Sequence, residues 1–201
     1  MSDTASTNRQ ERTLQIAERV VGLLEQHGIS AAVIGAIALA VHYYPRQTED
    51  FDLAININPF PRFRQLDEVL RAEGFETDLS YPDAEDPLGG VLRVSGEDFE
   101  TIEIVNFQNP WPGAKDNTTL AQEAIQSASL ALNPGSRLRV VDLPHLIALK
   151  LFAGGWKSKA DVMELLERNR QHLDVAGLRD VCERHGMGPA LRPLLEELGI
   201  S

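Results

Sequence analysis

Two aspartates one residue apart, Asp50 and Asp52, carry the clearest chemical potential in this chain. They fall in the run Glu49 to Asn58, whose side chains alternate. Phe51, Leu53, Ile55 and Ile57 take one face of a strand, and Asp50, Asp52, Ala54 and Asn56 take the other. Two carboxylates side by side repel unless a cation sits between them, and a divalent ion meets that need. Magnesium suits the donor set: hard oxygens, few from protein, the rest from water and phosphate. Upstream, Gly35-Ala36 marks a strand-to-helix turn, where backbone N–H groups at a helix start offer a phosphate site. A third carboxylate, Glu103, sits inside the apolar strand Ile102-Glu103-Ile104, where an unpaired charge is costly. If that strand neighbours the first, Glu103 completes a triad able to bridge two metal ions. Such ions, about 3.5 to 4 Å apart, clamp the attacking and leaving oxygens of an in-line displacement. A phosphate cradle beside metal-binding carboxylates is the minimum equipment for handling a nucleoside triphosphate. The rival reading puts Asp50 and Asp52 on the solvated face of an edge strand and makes Glu103 an ordinary strand residue.

The elements that must position these residues follow from periodicity. A polar tail leads into a helix from about Glu11 to Gln26, ended by His27-Gly28. Ala31 to Ile34 reads as a short buried strand, and Ala36 to about Tyr43 as a helix that Pro45 terminates. Pro59 and Pro61 close the aspartate strand, and a helix runs from Arg62 to Glu73. Strands are expected near Phe75 to Tyr81, Val91 to Ser95 and Phe99 to Phe107, the last two joined by a hairpin turn at Gly96-Glu97-Asp98. Asn109 to Asn117 is a loop whose Trp111 covers the core. From Thr118 the chain is helical apart from a short strand at Arg137 to Val141. Asp142 is an N-cap with Pro144 in the first turn. Helices near Pro144 to Phe152, Lys157 to Asn169, Val175 to Arg184 and Pro189 to Leu198 complete it. The expected class is α/β (α+β): a mixed sheet flanked by helices over residues 1–141, and a helical region, 142–201, packed on it.

Composition narrows the functions. The chain has 201 residues, 43% hydrophobic and 24% charged, which is globular and large enough for a sizeable core. Cys182 is the only cysteine, which excludes an internal disulfide and a cysteine zinc site and suits a reducing compartment. The longest apolar run, Ala31 to Val41, is too short to span a bilayer, and Met1 to Thr13 lacks the apolar core of a secretory signal. A cytoplasmic protein without membrane partners is expected. The net charge of −11 disfavours bulk gripping of nucleic acid. That charge is uneven. Glu76 to Glu103 holds nine acids against Arg93 alone, whereas Arg137 to Arg170 holds seven basic residues against four acids. A triphosphate fits between such halves. The five histidines have no metal spacing, Gly154-Gly155-Trp156 reads as an interhelical turn, and Asp161 is expected to pair with Lys157 on one helix face. Ile37 occupies the place of a second glycine, so the Gly35 turn is no dinucleotide fingerprint.

The ordered set of hydrophobic strand, Gly35-Ala36, the thirteen-residue spacer Ile37 to Glu49, Asp50-x-Asp52 and a later acidic residue resembles the polymerase-β-like nucleotidyltransferase superfamily. The string Pro45-Arg46-x-Thr48-x-Asp50-x-Asp52 is similar to the AbiEii/AbiGii-type and minimal nucleotidyltransferases, many encoded in toxin–antitoxin loci. Leu149-Lys150-Leu151 followed by Lys159-Ala160-Asp161-Val162 and Leu165-Leu166 is similar to their helical region. The resemblance implies transfer of a nucleoside monophosphate from an NTP to an acceptor, with release of pyrophosphate. It makes Asp50, Asp52 and Glu103 metal ligands for Mg2+, with Glu103 also the base for the acceptor hydroxyl. Gly35 and Ala36 hold the triphosphate by backbone, Arg46 and Thr48 support the phosphates or the carboxylates, and Lys150 neutralises phosphate charge. Two departures stand out: Ala36 replaces the family's Gly or Ser, and Glu103 replaces the commoner Asp. The alternatives are a nucleotide-binding or protein-interaction module without transfer activity, and a metal-dependent phosphohydrolase. The acceptor, whether RNA, protein or small molecule, is not written in the sequence.

Overall fold

A computed structural model describes residues 2–114 and 118–201. The loop expected over Asn109 to Asn117 therefore ends outside the described residues. Among those described, the chain forms seven strands in one mixed sheet and eight helices.

The sheet core is β2 (Asp50–Ile55) lying parallel to β5 (Thr101–Asn106). Their alternation is the one the sequence predicts: Phe51, Leu53, Ile55, Ile102 and Ile104 are buried to 2% exposure or less, and the acidic positions between them are not. On one side β5 pairs antiparallel with β4 (Val91–Ser95), and β4 pairs antiparallel with β3 (Glu76–Ser80). On the other side β2 pairs antiparallel with β1 (Ala32–Val33), which runs parallel to β7 (Arg139–Val140). A two-residue strand, β6 (Leu130–Ala131), closes that edge. The sequence offers no alternation long enough to reveal it.

Helix α1 (Ser2–Gln26) begins far earlier than the polar composition of its first residues suggests. Tertiary contacts hold the helix from Arg9 to Thr13. Arg12 pairs with Asp98, Arg9 donates to the Phe99 carbonyl, and the buried Thr13 hydroxyl accepts from the Glu100 amide. Three polar side chains thus clamp the helix to the β4–β5 turn. Helix α2 (Gly35–Val41) follows β1 directly. Tyr43, two residues past its end, has a φ of +66°, the left-handed conformation usually left to glycine. Helix α3 (Pro59–Ala72) is capped by the Asn58 side chain, and α4 (Thr118–Ser127) packs on β2 and on α5 (Leu143–Ala153). The Asp142 carboxylate accepts from the His145 amide at 3.0 Å, with proline in the first turn. Helices α6 (Gly155–Asn169), α7 (Val175–Arg184) and α8 (Gly188–Leu198) complete the chain. No described helix is long and apolar enough to cross a membrane.

Two side chains differ from expectation. Trp111 does not cover the core: it is 45% exposed, and its indole N–H donates to the Pro82 carbonyl at 2.9 Å, tying two loops together. Cys182 is a core residue, and burial pushes its thiol up to about 12, leaving it protonated and inert.

Candidate active site

Strand register assembles the acidic residues. Asp52 stands opposite Glu103 and Asp50 opposite Thr101, so the two aspartates and the glutamate share one face near the start of two parallel strands. Their carboxylate oxygens lie within 4.8 Å of one another. All three are partly buried, which makes their mutual repulsion expensive. The pKa of Asp52 is pushed up from 3.8 to about 6. Burial is the first cause, then the charges of Asp50 and Glu103; Lys150 and Arg46 pull the other way.

Gly35 earns its place sterically. Its φ is +63°, and a Cβ there would lie 1.7 Å from Asp52 Oδ2. Only a residue with no side chain lets the β1–α2 turn pass this close to the carboxylate. The Ile34 amide donates to the Asp52 carbonyl at 3.0 Å, locking the turn against β2. The hard oxygen donors, their spacing and the cradle that a Cβ would fill together fit a magnesium-type cation. Ala36, next in the chain, is buried at 2%.

The remaining predicted residues surround the triad. Thr48 caps the start of β2, its hydroxyl meeting the Asp50 backbone at 3.3 and 3.4 Å. The Arg46 guanidinium acts on Asp52, and its buried Nε has no hydrogen-bond partner among the described residues. Lys150, in the last turn of α5, also acts on Asp52. Its ammonium is 2.6 Å from Asp161 Oδ2 on α6, with the Asp161 side chain 4% exposed. The expected pairing of Asp161 with Lys157 is thus replaced by a buried bridge between helices. Helix periodicity could not show this, because the partners lie on different helices. Asp161 is thus the partner of an expected site residue, a role that the sequence reading did not give it.

Two contiguous cavities open beside the carboxylates. One, of about 540 Å³, is lined by Asp50, Glu103, Arg93 and Arg9; the other, of about 800 Å³, by Arg46, Thr48, Ile37 and Gln10. Thr48, Glu49 and Glu100 line both, so one trough runs from the triad along the first half of α1. That wall was also missed, since nothing local in a polar helix points to it. A second polar cluster joins α4, α5 and α7: His145 meets Asp142 and Ser127, and Glu123 binds Arg184 and His185. Ser127 and Asp142 both approach the same nitrogen of His145, so they form no nucleophile relay.

The chain matches no protein-family model and no curated protein sequence. It is similar in structure to the antibiotic-resistance factor ANT(2'')-Ia. The solution structure of that protein superposes with a TM-score of 0.52 at 13% identity, over 94% of this chain and 96% of the other. Its crystal structure in complex with adenylyl-2''-tobramycin gives 0.49 at 13% identity, over 86% and 95% of the two chains. An antigenic nucleotidyltransferase-like protein from Paracoccidioides brasiliensis gives 0.49 at 15% identity, over 92% and 93%. The mixed sheet and its flanking helices are therefore a nucleotidyltransferase-like fold.

Proposed function

We propose that this chain is a metal-dependent nucleotidyltransferase that moves a nucleoside monophosphate from an NTP to an acceptor hydroxyl or phosphate. The observation that carries the reading is the three-carboxylate cluster on β2 and β5, set against a glycine turn that a single Cβ would close. Asp50, Asp52 and Glu103 are the residues that would hold Mg2+. When bound, the ion supplies Lewis-acid stabilisation of charge on the phosphates. The Gly35-Ala36 turn, Arg46, Thr48 and Lys150 bind and orient the triphosphate, and Asp161 keeps the Lys150 ammonium in place. The acceptor hydroxyl gives its proton to Glu103. Its oxygen then forms a bond to the α-phosphorus as the bond to pyrophosphate breaks. In this reading residues 1–141 carry the chemistry and the helices of 142–201 supply the cationic wall.

Membership of the AbiEii-type branch, and with it a toxin–antitoxin role, rests on the sequence strings around Asp50 and Lys150. For the acceptor, an aminoglycoside is one class to test because ANT(2'')-Ia has been crystallised with an adenylylated one; RNA ends and protein hydroxyls are the others. Ala36, in place of a residue that could lend a hydroxyl or a barer backbone, favours one rival: a module that binds nucleotide without transfer. Incubation with α-labelled NTPs and each acceptor class separates these readings. Label should move with the wild type and stop with Asp50→Asn and Asp52→Asn, both still folded by circular dichroism. Transfer retained by those variants would sink the assignment, and calorimetric Mg–NTP binding without transfer would favour the rival.

A further inference from the structure

Arg93 is the only basic residue in the acidic stretch from Glu76 to Glu103. Asp78, Arg93, Glu103 and Asp52 occupy matched register positions on β3, β4, β5 and β2. They form one charged row across four neighbouring strands, on the face that bears the triad. Arg93 Nε donates to Glu103 Oε1 at 2.7 Å. Its Nη1 lies 3.6 Å from Asp78 Oδ2 and 3.5 Å from Ser80 Oγ, so the guanidinium is held from both flanks. The Glu103 side chain is 24% exposed and Arg93 38%, so solvent screens their contact only in part. Arg93 brings positive charge to the edge of a cluster where a divalent ion would bring it to the centre.

We propose that Arg93 is a positioning residue, the resident counter-ion of the triad: it holds Glu103 when no metal is bound, and a divalent ion engages Glu103 only in opposition to it. The proposal rests on the reading of Asp50, Asp52 and Glu103 as metal ligands. Attraction between Arg93 and Glu103 is greatest while the carboxylates keep their full charge. A cation among them cancels that charge and repels the guanidinium. Arg93 therefore stabilises the metal-free protein more than the metal-bound one, and by linkage it weakens metal binding.

The test is Mn2+ titration of nucleotide-free protein, following free Mn2+ by electron paramagnetic resonance. Arg93→Gln and Arg93→Met should bind Mn2+ about three- to tenfold more tightly than wild type, as expected for removing a partly screened charge. Arg93→Lys should stay close to wild type, and the gain should vanish in a Glu103→Gln background. In EDTA, Arg93→Gln should melt below wild type, with the gap closing as Mn2+ is added. Unchanged or weaker Mn2+ binding by both neutral variants, or a gain that survives Glu103→Gln, overturns the counter-ion role alone. If Glu103→Gln by itself leaves wild-type Mn2+ affinity unchanged, Glu103 loses its ligand role and the proposal falls with it.

Discussion

Asp52 should destabilise the metal-free protein at neutral pH, so Asp52→Asn should make it more stable while removing its chemistry. In the folded chain the Asp52 pKa rises from 3.8 to about 6, because burial and the charges of Asp50 and Glu103 disfavour ionisation. A raised folded-state value means that the native protein binds the proton more tightly than the unfolded chain. Its stabilising share is therefore complete below about pH 4 and is lost as pH climbs through 6. A rise of about two units, at about 1.4 kcal/mol each, amounts to about 3 kcal/mol. Asparagine has nearly the same shape and no charge, so the variant should escape that penalty. For a chain of this size the gain corresponds to roughly 6 to 12 °C in melting temperature. Thermal unfolding followed by circular dichroism in EDTA should show wild type and variant alike at pH 4, diverging through pH 6, and fully separated at pH 7.5. Adding Mg2+ should then raise the wild type and leave the variant where it was. A difference that does not change with pH, or a variant less stable than wild type at pH 7.5 in EDTA, would refute the electrostatic account.

Three further outcomes are expected. Asp161→Asn leaves the Lys150 ammonium without its 2.6 Å partner and should lower stability by roughly 2 to 4 kcal/mol in urea denaturation; Lys150→Met with Asp161→Leu should recover most of the stability and none of the transfer. Gly35→Ala puts a methyl 1.7 Å from Asp52 Oδ2 at a φ of +63°, so it should abolish the Mg2+-induced rise in melting temperature. Tyr43→Gly relieves a φ of +66° and should add about 0.5 to 1 kcal/mol of stability, measured by urea denaturation with transfer unchanged.

The site was legible wherever its logic is local. Alternation along β2 put Asp50 and Asp52 on one face, and the register pairing Asp52 with Glu103 supplied the adjacency that the sequence could state only as a condition. The helices from Leu143 onward were readable from capping and periodicity, with Val175–Arg184 matching at both ends. What escaped depends on contacts distant in sequence. Lys150 finds Asp161 eleven residues away across an interhelical turn, where Lys157 had the better claim by spacing. Arg93 reads as a stray base in an acidic stretch until two register pairings set it between Asp78 and Glu103. The first turns of α1 carry no apolar stripe, and the grip of Arg9, Arg12 and Thr13 on the Asp98–Glu100 turn joins partners far apart in sequence.

The charged row across β3, β4, β5 and β2 has a consequence for folding as well as for chemistry. Sliding β4 by one residue along β5 would set Leu92 or Val94, both fully buried, opposite Glu103 and strand the carboxylate without its arginine. The penalty for mispairing is therefore concentrated at Glu103, one of the three clustered carboxylates. The charged row acts as a proofreading mark for the outer half of the sheet: a chain that misaligns β4 loses the pairing of Arg93 with Glu103 and Asp78, while the β2–β5 register that gathers the three carboxylates stays intact.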